Sequence, residues 1–301
     1  GMENEEFVSY GYEDNERVYR FETLGYKVGR VDDQIFHLEH ARTFNSWFSN
    51  PHIGNNKDLY DRIKTLNKEE LEHYYSTVDY IKNRNGKELK GFPHVLWINL
   101  DSQTHRREFQ EEQFAYWEVE NTRISGIDGR DDDPSVYLKG TIPPNVNQGE
   151  IGCCLSHLKA IKYFIEETDW DEVIIAEDDL MLDTVKFWPF SWKEISDYFP
   201  YNFDCMQLSI INPAAVYAVL HNRFVNDFSA AVYVITRHHA QKIYKHHILG
   251  NKYRIDQDIR PRAVSEDLVF ESGKCYAMPL FLYRLDMGSS IHPEHIEIFH
   301  R

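Results

Sequence analysis

A chain of 301 residues, 42% hydrophobic and 14% aromatic, can bury one large core or two modest ones, which excludes a disordered protein. Its formal net charge of −16 repels phosphate backbones and anionic lipid, so neither nucleic acid nor a membrane surface is expected as its main partner. A nucleotide held locally through a divalent cation remains compatible with that charge.

The start, GMENEEFVSY, lacks the basic and apolar stretches of a signal peptide, and Gly1 before Met2 reads as a residue left by tag cleavage. No run approaches the ~18 apolar residues of a membrane span. Residues 1–90 are rich in Glu, Asp, Asn and Tyr and predict a mainly helical appendage. Leu59, Ile63 and Leu66, then Leu71, Tyr75, Val78 and Ile81, give helical spacing over 57–83. A short piece around 25–38 is the one sheet-like signal. The polar segment NRNGKELKGFP (83–93), with two glycines and a proline, predicts a linker into a second domain, 91–301.

From there strands and helices alternate. HVLWINL (94–100) reads as a buried strand and THRREFQEEQFAYW (104–117) as a polar helix. GEIGCCLSHLKAIKYFIEE (149–167) is a helix with Ile151, Leu155, Leu158, Ile161 and Ile165 at helical spacing. EVIIAE (172–177), DCMQLSI (204–210) and SAAVYVIT (229–236) read as strands, RHHAQKIYKHHI (237–248) as a helix, and CYAMPLFLY (275–283) as a late strand. The paired histidines 238–239 and 246–247 on that helix read as solvated. This alternation predicts an α/β fold with a mainly parallel sheet flanked by helices. Ligands of such sheets sit beyond the carboxyl ends of the strands.

The four cysteines, Cys153, Cys154, Cys205 and Cys275, form no C-x-x-C pair and read as reduced buried residues of a cytoplasmic protein. The most informative stretch is DEVIIAEDDLML (171–182). A short apolar run ends in Glu177, Asp178 and Asp179, which places three carboxylates at one sheet edge. Like charges held so close repel unless a cation neutralises them. Hard oxygen ligands suit Mg²⁺ or Mn²⁺, with a phosphate as a further ligand. A solvated acidic turn is the plain alternative.

Five segments, in this order and spacing, resemble the family-25 glycosyltransferases of the lipooligosaccharide and procollagen galactosyltransferase type. They are WINLDSQTHRREF, ISGIDGRD (124–131), GEIGCCLSHLKAI (149–161), VIIAEDDLML (173–182) and SAAVYVITR (229–237). The resemblance implies an A-type glycosyltransferase fold, a Rossmann-like mixed sheet flanked by helices. It also implies inverting transfer of galactose or glucose from a UDP-sugar to a hydroxyl of a glycan or hydroxylated protein acceptor. The region 184–203, with Trp188 and Trp192, and the tail LYRLDMGSSIHPEHIE depart from the family pattern. Upstream, GYEDNERVYRFETLGYKVGRVDDQIFHLEH (11–40) resembles the C-terminal part of another A-type, galactosyltransferase-like domain, through Glu13–Asp14, Arg20, Gly25 and His37 or His40. Without the nucleotide-binding half that precedes such a part, it reads as a partial remnant kept as a structural appendage.

The first resemblance sets Glu177, Asp178 and Asp179 on the family's Asp-x-Asp position. Asp179 and then Glu177 are the expected metal ligands, and Asp178 is expected at the ribose. His292, or else His295, would add a late imidazole ligand, which fits Mn²⁺ better than Mg²⁺. Glu150, Ser156 and His157 surround a helix start where Gly149 and free N–H groups admit the donor. Asn99, Leu100, Asp101 and Arg107 end the first strand and are expected to grip base and ribose, with Arg107 toward phosphate. Asp128 and Gly129 resemble a nucleotide-recognition turn. For the base that accepts the acceptor's proton, SEDLVF (265–270) offers Asp267 first and Glu266 beside it, with Asp256 and Asp258 as rivals. The structural alternatives are helix caps at Glu150 and Ser265, a buried hydrogen-bonded His157, an Asp-Gly turn and a surface Arg107. A non-catalytic module binding only nucleotide or partner, a phosphate hydrolase, and a homodimer stay open.

Overall fold

The computed structural model describes residues 4–9, 11–29, 50–78, 88–142, 144, 146–211, 219–255 and 264–284. The chain divides into two compact units, Gly1–Lys87 and Glu88–Arg301.

The first unit contains α1 (Glu13–Thr23), α2 (Ile53–Ile63) and α3 (Lys68–Thr77). The helical spacing expected over 57–83 resolves into α2 and α3, separated where Asn67 and Glu70 form a reciprocal capping box. Buried Asn56 ties down the segment before α1, donating to Val8 O (3.0 Å) and Gly11 O (3.1 Å) and accepting from Val8 N (3.1 Å). Of the acidic motif, Glu13 accepts from Gly11 N (2.6 Å) in the first turn. The carboxylate that α1 buries is Glu16, beside Arg20 (3.4 Å) and the Tyr75 hydroxyl. Burial pushes the Glu16 carboxyl up, against the pull of Tyr75 and Arg20. His37, His40 and most of the 25–38 piece lie outside the described residues.

The second unit opens with β1 (Val95–Asn99), α4 (Thr104–Tyr116), β2 (Asn121–Ser125), α5 (Gln148–Glu167), β3 (Glu172–Glu177) and β4 (Leu180–Met181). It continues with α6 (Trp192–Ser196), β5 (Cys205–Gln207), β6 (His221–Asn222), β7 (Val232–Thr236) and α7 (Arg237–His247). It closes with β8 (Ile248–Leu249), β9 (Lys252–Tyr253), α8 (Ser265–Phe270), β10 (Cys275–Ala277) and β11 (Leu282–Tyr283). Seven strands form one sheet in the order β2-β1-β3-β7-β5-β10-β6.

The sheet is mixed, as the family resemblance implies, and departs from the mainly parallel course read from the alternation alone. β1 runs parallel to β2 and β3, and β5 to β10, but β7 is antiparallel to both β3 and β5, and β6 is antiparallel to β10. A parallel return needs a crossover, usually a helix. Among the described residues no helix lies between β5 and β7. The late strand is also divided. β10 ends at Ala277, Pro279 offers no N–H to a ladder, and Leu282–Tyr283 pair with β4 instead.

Both sheet faces are covered, which is why β1 and β3 read as unbroken apolar runs. Leu96, Ile98, Val173, Ile175, Tyr233 and Ile235 pack with α5 and α7. Val95, Trp97, Ile174, Ala176, Met206 and Val234 pack with Phe114, Trp188, Trp192 and Phe281. The two tryptophans outside the family pattern are thus core residues. On α7, His239 and His247 are fully buried beside Ala240 and Ile243, which corrects their reading as solvated; His238 and His246 are exposed. The four buried residues share one helical face, and each buried imidazole reaches a carbonyl, Val269 O at 2.6 Å and Arg254 O at 2.8 Å.

Loop 126–129 lies against the first turn of α5. A Cβ on Gly152 would sit 2.5 Å from both Gly129 N and Ile127 O, and one on Gly129 would sit 1.9 Å from Gln148 O. Ser156, one turn along α5, completes the clasp by accepting from Ile127 N (2.8 Å) and donating to Gly152 O (2.7 Å). Gly152→Ala is therefore expected to cost about 3 kcal/mol through overpacking, read as a lower urea midpoint. An unchanged midpoint would show that the loop and helix do not touch.

Candidate active site

β1 lies between β2 and β3, so the chain leaves β1 toward one neighbour and later returns on its other side. Open α/β sheets bind ligands at such a reversal, outside the carboxyl ends of the strands. Asn99 ends β1 there and Glu177 ends β3.

The first half of the site is built by α4. It reads as a polar helix, yet Arg106 and Gln110 are buried. Arg106, Gln110 and Gln113, spaced i, i+4, i+7, share one face. The Arg106 guanidinium sets both Nε and Nη2 at 2.6 Å from Asp178 Oδ1, with Nη2 also 3.4 Å from Asp179 Oδ2. Gln110 and Gln113 both donate to Leu180 O (2.9 and 2.6 Å), and Gln113 accepts from Leu182 N (2.9 Å). α4 thereby clamps residues 178–182.

The three carboxylates do not share one environment. Asp178 takes Arg106 on Oδ1 and the Asn99 amide on Oδ2 (2.7 Å), so it belongs to the frame of the site. Its expected place at the ribose would require loosening that frame. Burial raises its proton affinity, opposed by Arg106 and Asn99. Glu177 points the other way: Oε1 lies 3.3 Å from His157 Nε2 and 3.8 Å from the Cys153 thiol. Burial works against its charge, but His157, Arg106 and Cys153 outweigh it and hold the carboxyl below its usual value. Asp179 is left over. Its Oδ1 is buried with no hydrogen-bond partner among the described residues. Burial, and then the Glu177 charge, push it up to about 7.

The other expected residues fall in several places. Asn99 is buried and also donates to Gln103 O (3.1 Å). Leu100, the residue after β1, is half-buried. Exposed Asp101 is held by Arg123 and by Ser125 Oγ (3.0 Å), which keep its carboxyl low, and Arg107 approaches it at 3.5 Å. Arg107 thus sits at the rim, while its neighbour Arg106 enters the site. Asp128 is chelated by Arg130 (2.7 and 2.8 Å), which lowers it, and Gly129 provides the close approach to α5. Glu150 forms a capping box with Asn147, its alternative reading. Ser156 and His157 are buried, the former on loop 126–129 and the latter between Glu177 and the Tyr233 hydroxyl (3.0 Å). His292, His295, Asp256 and Asp258 lie outside the described residues.

Glu266 reaches this edge from α8, accepting from Ser229 N. Ser229 leads into β7, and Ala231 O, just before that strand, accepts from Glu177 N (2.7 Å). Ser229 holds φ at +95°, a costly conformation for a residue with a Cβ, and such strain clusters at functional sites. Buried Gln207 supports it, with Nε2 2.7 Å from Ser229 O. The charge of Asp267, the next residue, adds to burial in raising the Cys154 thiol. Arg106, Cys153, Tyr233 and Ser229 were not among the expected site residues. The stripe at 106, 110 and 113 was the available signal for the first, and the i, i+4 pair Cys153–His157 for the second.

A mixed α/β sheet with a buried acidic edge at its switch point is consistent with a glycosyltransferase A-like fold. The model of Glycosyltransferase family 25 (LPS biosynthesis protein) matches residues 92–259, and the chain belongs to that family. It is accordingly a transferase that moves a glycosyl group from a donor to an acceptor. No curated protein matches the chain. Among the described residues, no helix is long and apolar enough to cross a membrane.

Proposed function

We propose that this chain moves a hexose, galactose or glucose, from a UDP-sugar to a hydroxyl of a glycan or hydroxylated protein, with a divalent cation, Mn²⁺ or Mg²⁺, at the acidic edge. The observation that carries this reading is Asp179, a buried carboxylate with an unpartnered oxygen beside a second carboxylate. Arg106 makes its close contacts to Asp178 and reaches Asp179 only at 3.4 Å, so one fixed cation serves three carboxylates and the pair Asp179 and Glu177 carries excess negative charge. Such a pair fits a hard divalent cation. When bound, the cation supplies charge neutralisation for the diphosphate and the leaving UDP.

The protein's own groups then do the following. Arg106 and Asn99 orient Asp178 and the turn after β3. Glu266 or Asp267 takes the proton of the acceptor hydroxyl. That oxygen forms its bond to the anomeric carbon on the face opposite UDP, and the bond from that carbon to the diphosphate breaks, its electron pair leaving on UDP. Glu266 comes before Asp267 in this reading because it accepts from Ser229 N at the sheet edge. Glu266→Gln is expected to lower kcat by about 10²–10⁴-fold with little change in donor KM, and Asp267→Asn to have the smaller effect. The reverse order would return the base to Asp267.

The direct test is UDP release from UDP-galactose and UDP-glucose, with and without saccharide and hydroxylysine acceptors. Slow donor hydrolysis without acceptor, stopped by chelator and restored by Mn²⁺, is the expected result. Nucleotide binding without turnover over the whole panel would instead favour a non-catalytic module.

A further inference from the structure

We propose that Cys153, His157 and Glu177 form a site for a soft divalent cation of the zinc class, distinct from the carboxylate edge at Asp179. The inference does not rest on the donor reading above, although Glu177 belongs to both groups. Cys153 and His157 stand four residues apart on α5, so one helical face presents both to the end of β3. One ligand atom from each of the three residues lies within 4.8 Å of the other two. Glu177 Oε1 is 3.3 Å from His157 Nε2 and 3.8 Å from Cys153 Sγ. A tetrahedral ion with bonds of about 2.0 Å to nitrogen and oxygen and about 2.3 Å to sulfur sets its ligand atoms roughly 3.3–3.6 Å apart, so the side chains need move little.

The surroundings match a metal-binding histidine. Its other ring nitrogen, Nδ1, lies 3.0 Å from the Tyr233 hydroxyl, which is fully buried and can either donate or accept. With Tyr233 accepting from Nδ1–H, the Nε2 lone pair is free to face a cation, the usual outer-partner arrangement. Ser265 Oγ, 3.5 Å from Cys153 Sγ, can donate to a thiolate. Cys153 is partly exposed, while Cys154 is turned into the apolar core. One thiolate, one carboxylate and one neutral imidazole carry two negative charges, balancing a divalent ion. Sulfur in the set selects Zn²⁺, Co²⁺ or Cd²⁺ over Mg²⁺.

The test is titration of the chelator-stripped full chain with Cd²⁺, read by thiolate-to-metal charge-transfer absorption in the near ultraviolet. The expected result is a band saturating at one equivalent, lost in Cys153→Ser, weakened at least tenfold in apparent affinity in His157→Gln, and retained in Cys154→Ser and Asp179→Asn. Zn²⁺ is expected to compete for the band and to raise the Tm of the parent chain but not of Cys153→Ser. Far-ultraviolet circular dichroism checks that each variant folds, and Cys153→Ala gives a second route if the serine does not. No band in the parent chain, a band surviving Cys153→Ser, or one abolished by Asp179→Asn overturns the proposal. UDP release by Asp179→Asn, measured with Mn²⁺, tests the donor cation separately. Undiminished turnover there, with the cadmium band intact, removes the donor reading and leaves this one standing.

Discussion

Asp179→Asn is expected to lower donor turnover by about 10²–10³-fold while leaving the chain at least as stable as the parent above neutral pH. The rate loss is what removing one preorganised charge from a reacting diphosphate typically costs. The stability result follows from linkage. Folding raises the Asp179 carboxyl from its ordinary 3.8 to about 7, through burial and then the Glu177 charge. The folded chain thus binds this proton more tightly than the unfolded chain does. Its favourable contribution is complete below the unfolded value, declines as pH rises and is gone once pH passes about 7. Asparagine keeps the shape and removes the ionisation, so the variant loses that part of the pH dependence. The measurements are UDP release with Mn²⁺ and urea unfolding in chelator at pH 5 and pH 8. Full turnover by the variant would remove the cation from the acidic edge. A variant less stable than the parent at pH 8 would show that Asp179 is paid for by a partner inside the fold.

Arg106→Met carries the largest expected stability effect, a loss of about 3–5 kcal/mol at pH 8. The guanidinium is almost wholly buried and holds Asp178 at 2.6 Å, with Asp179 at 3.4 Å. Methionine fills similar space but leaves two buried carboxyls without that counter-charge. Both carboxyls then become harder to ionise in the folded state, so the deficit should shrink from pH 8 to pH 5 as they take up protons. Arg106→Met combined with Asp178→Asn should recover a large part of the loss, because the pair was removed together. Urea unfolding of the single and double variants at both pH values measures this. A single variant within about 1 kcal/mol of the parent would place Arg106 among exposed pairs of small value.

These two residues show where sequence reading succeeds and where it stops. The acidic edge was legible because it is local: four apolar residues and then three carboxylates can hardly be anything except a buried strand meeting a polar boundary. The helices were legible for the same reason, since α5 keeps its apolar spacing for its whole length and carries its own capping box. The division of roles among Glu177, Asp178 and Asp179 was not legible, because their partners come from elsewhere. Arg106 and Asn99 are 72 and 79 residues from Asp178, and His157 is 20 from Glu177. Adjacent arginines 106 and 107 differ by about 100° around α4, and only the packing of that helix on residues 178–182 says which one turns inward.

Local pattern and motif spacing, then, settled the α/β class, the order of most elements, the family resemblance and the position of the acidic edge, since each depends on neighbours within a few residues or on the linear order of segments. Long-range packing settled the rest: the antiparallel course of β7, the burial of His239 and His247, the Gly129–Gly152 approach and the isolation of Asp179. Each of those depends on which distant surface a residue meets, and the energy of a buried charge or a close backbone contact is set by that surface and not by the residues beside it in the chain.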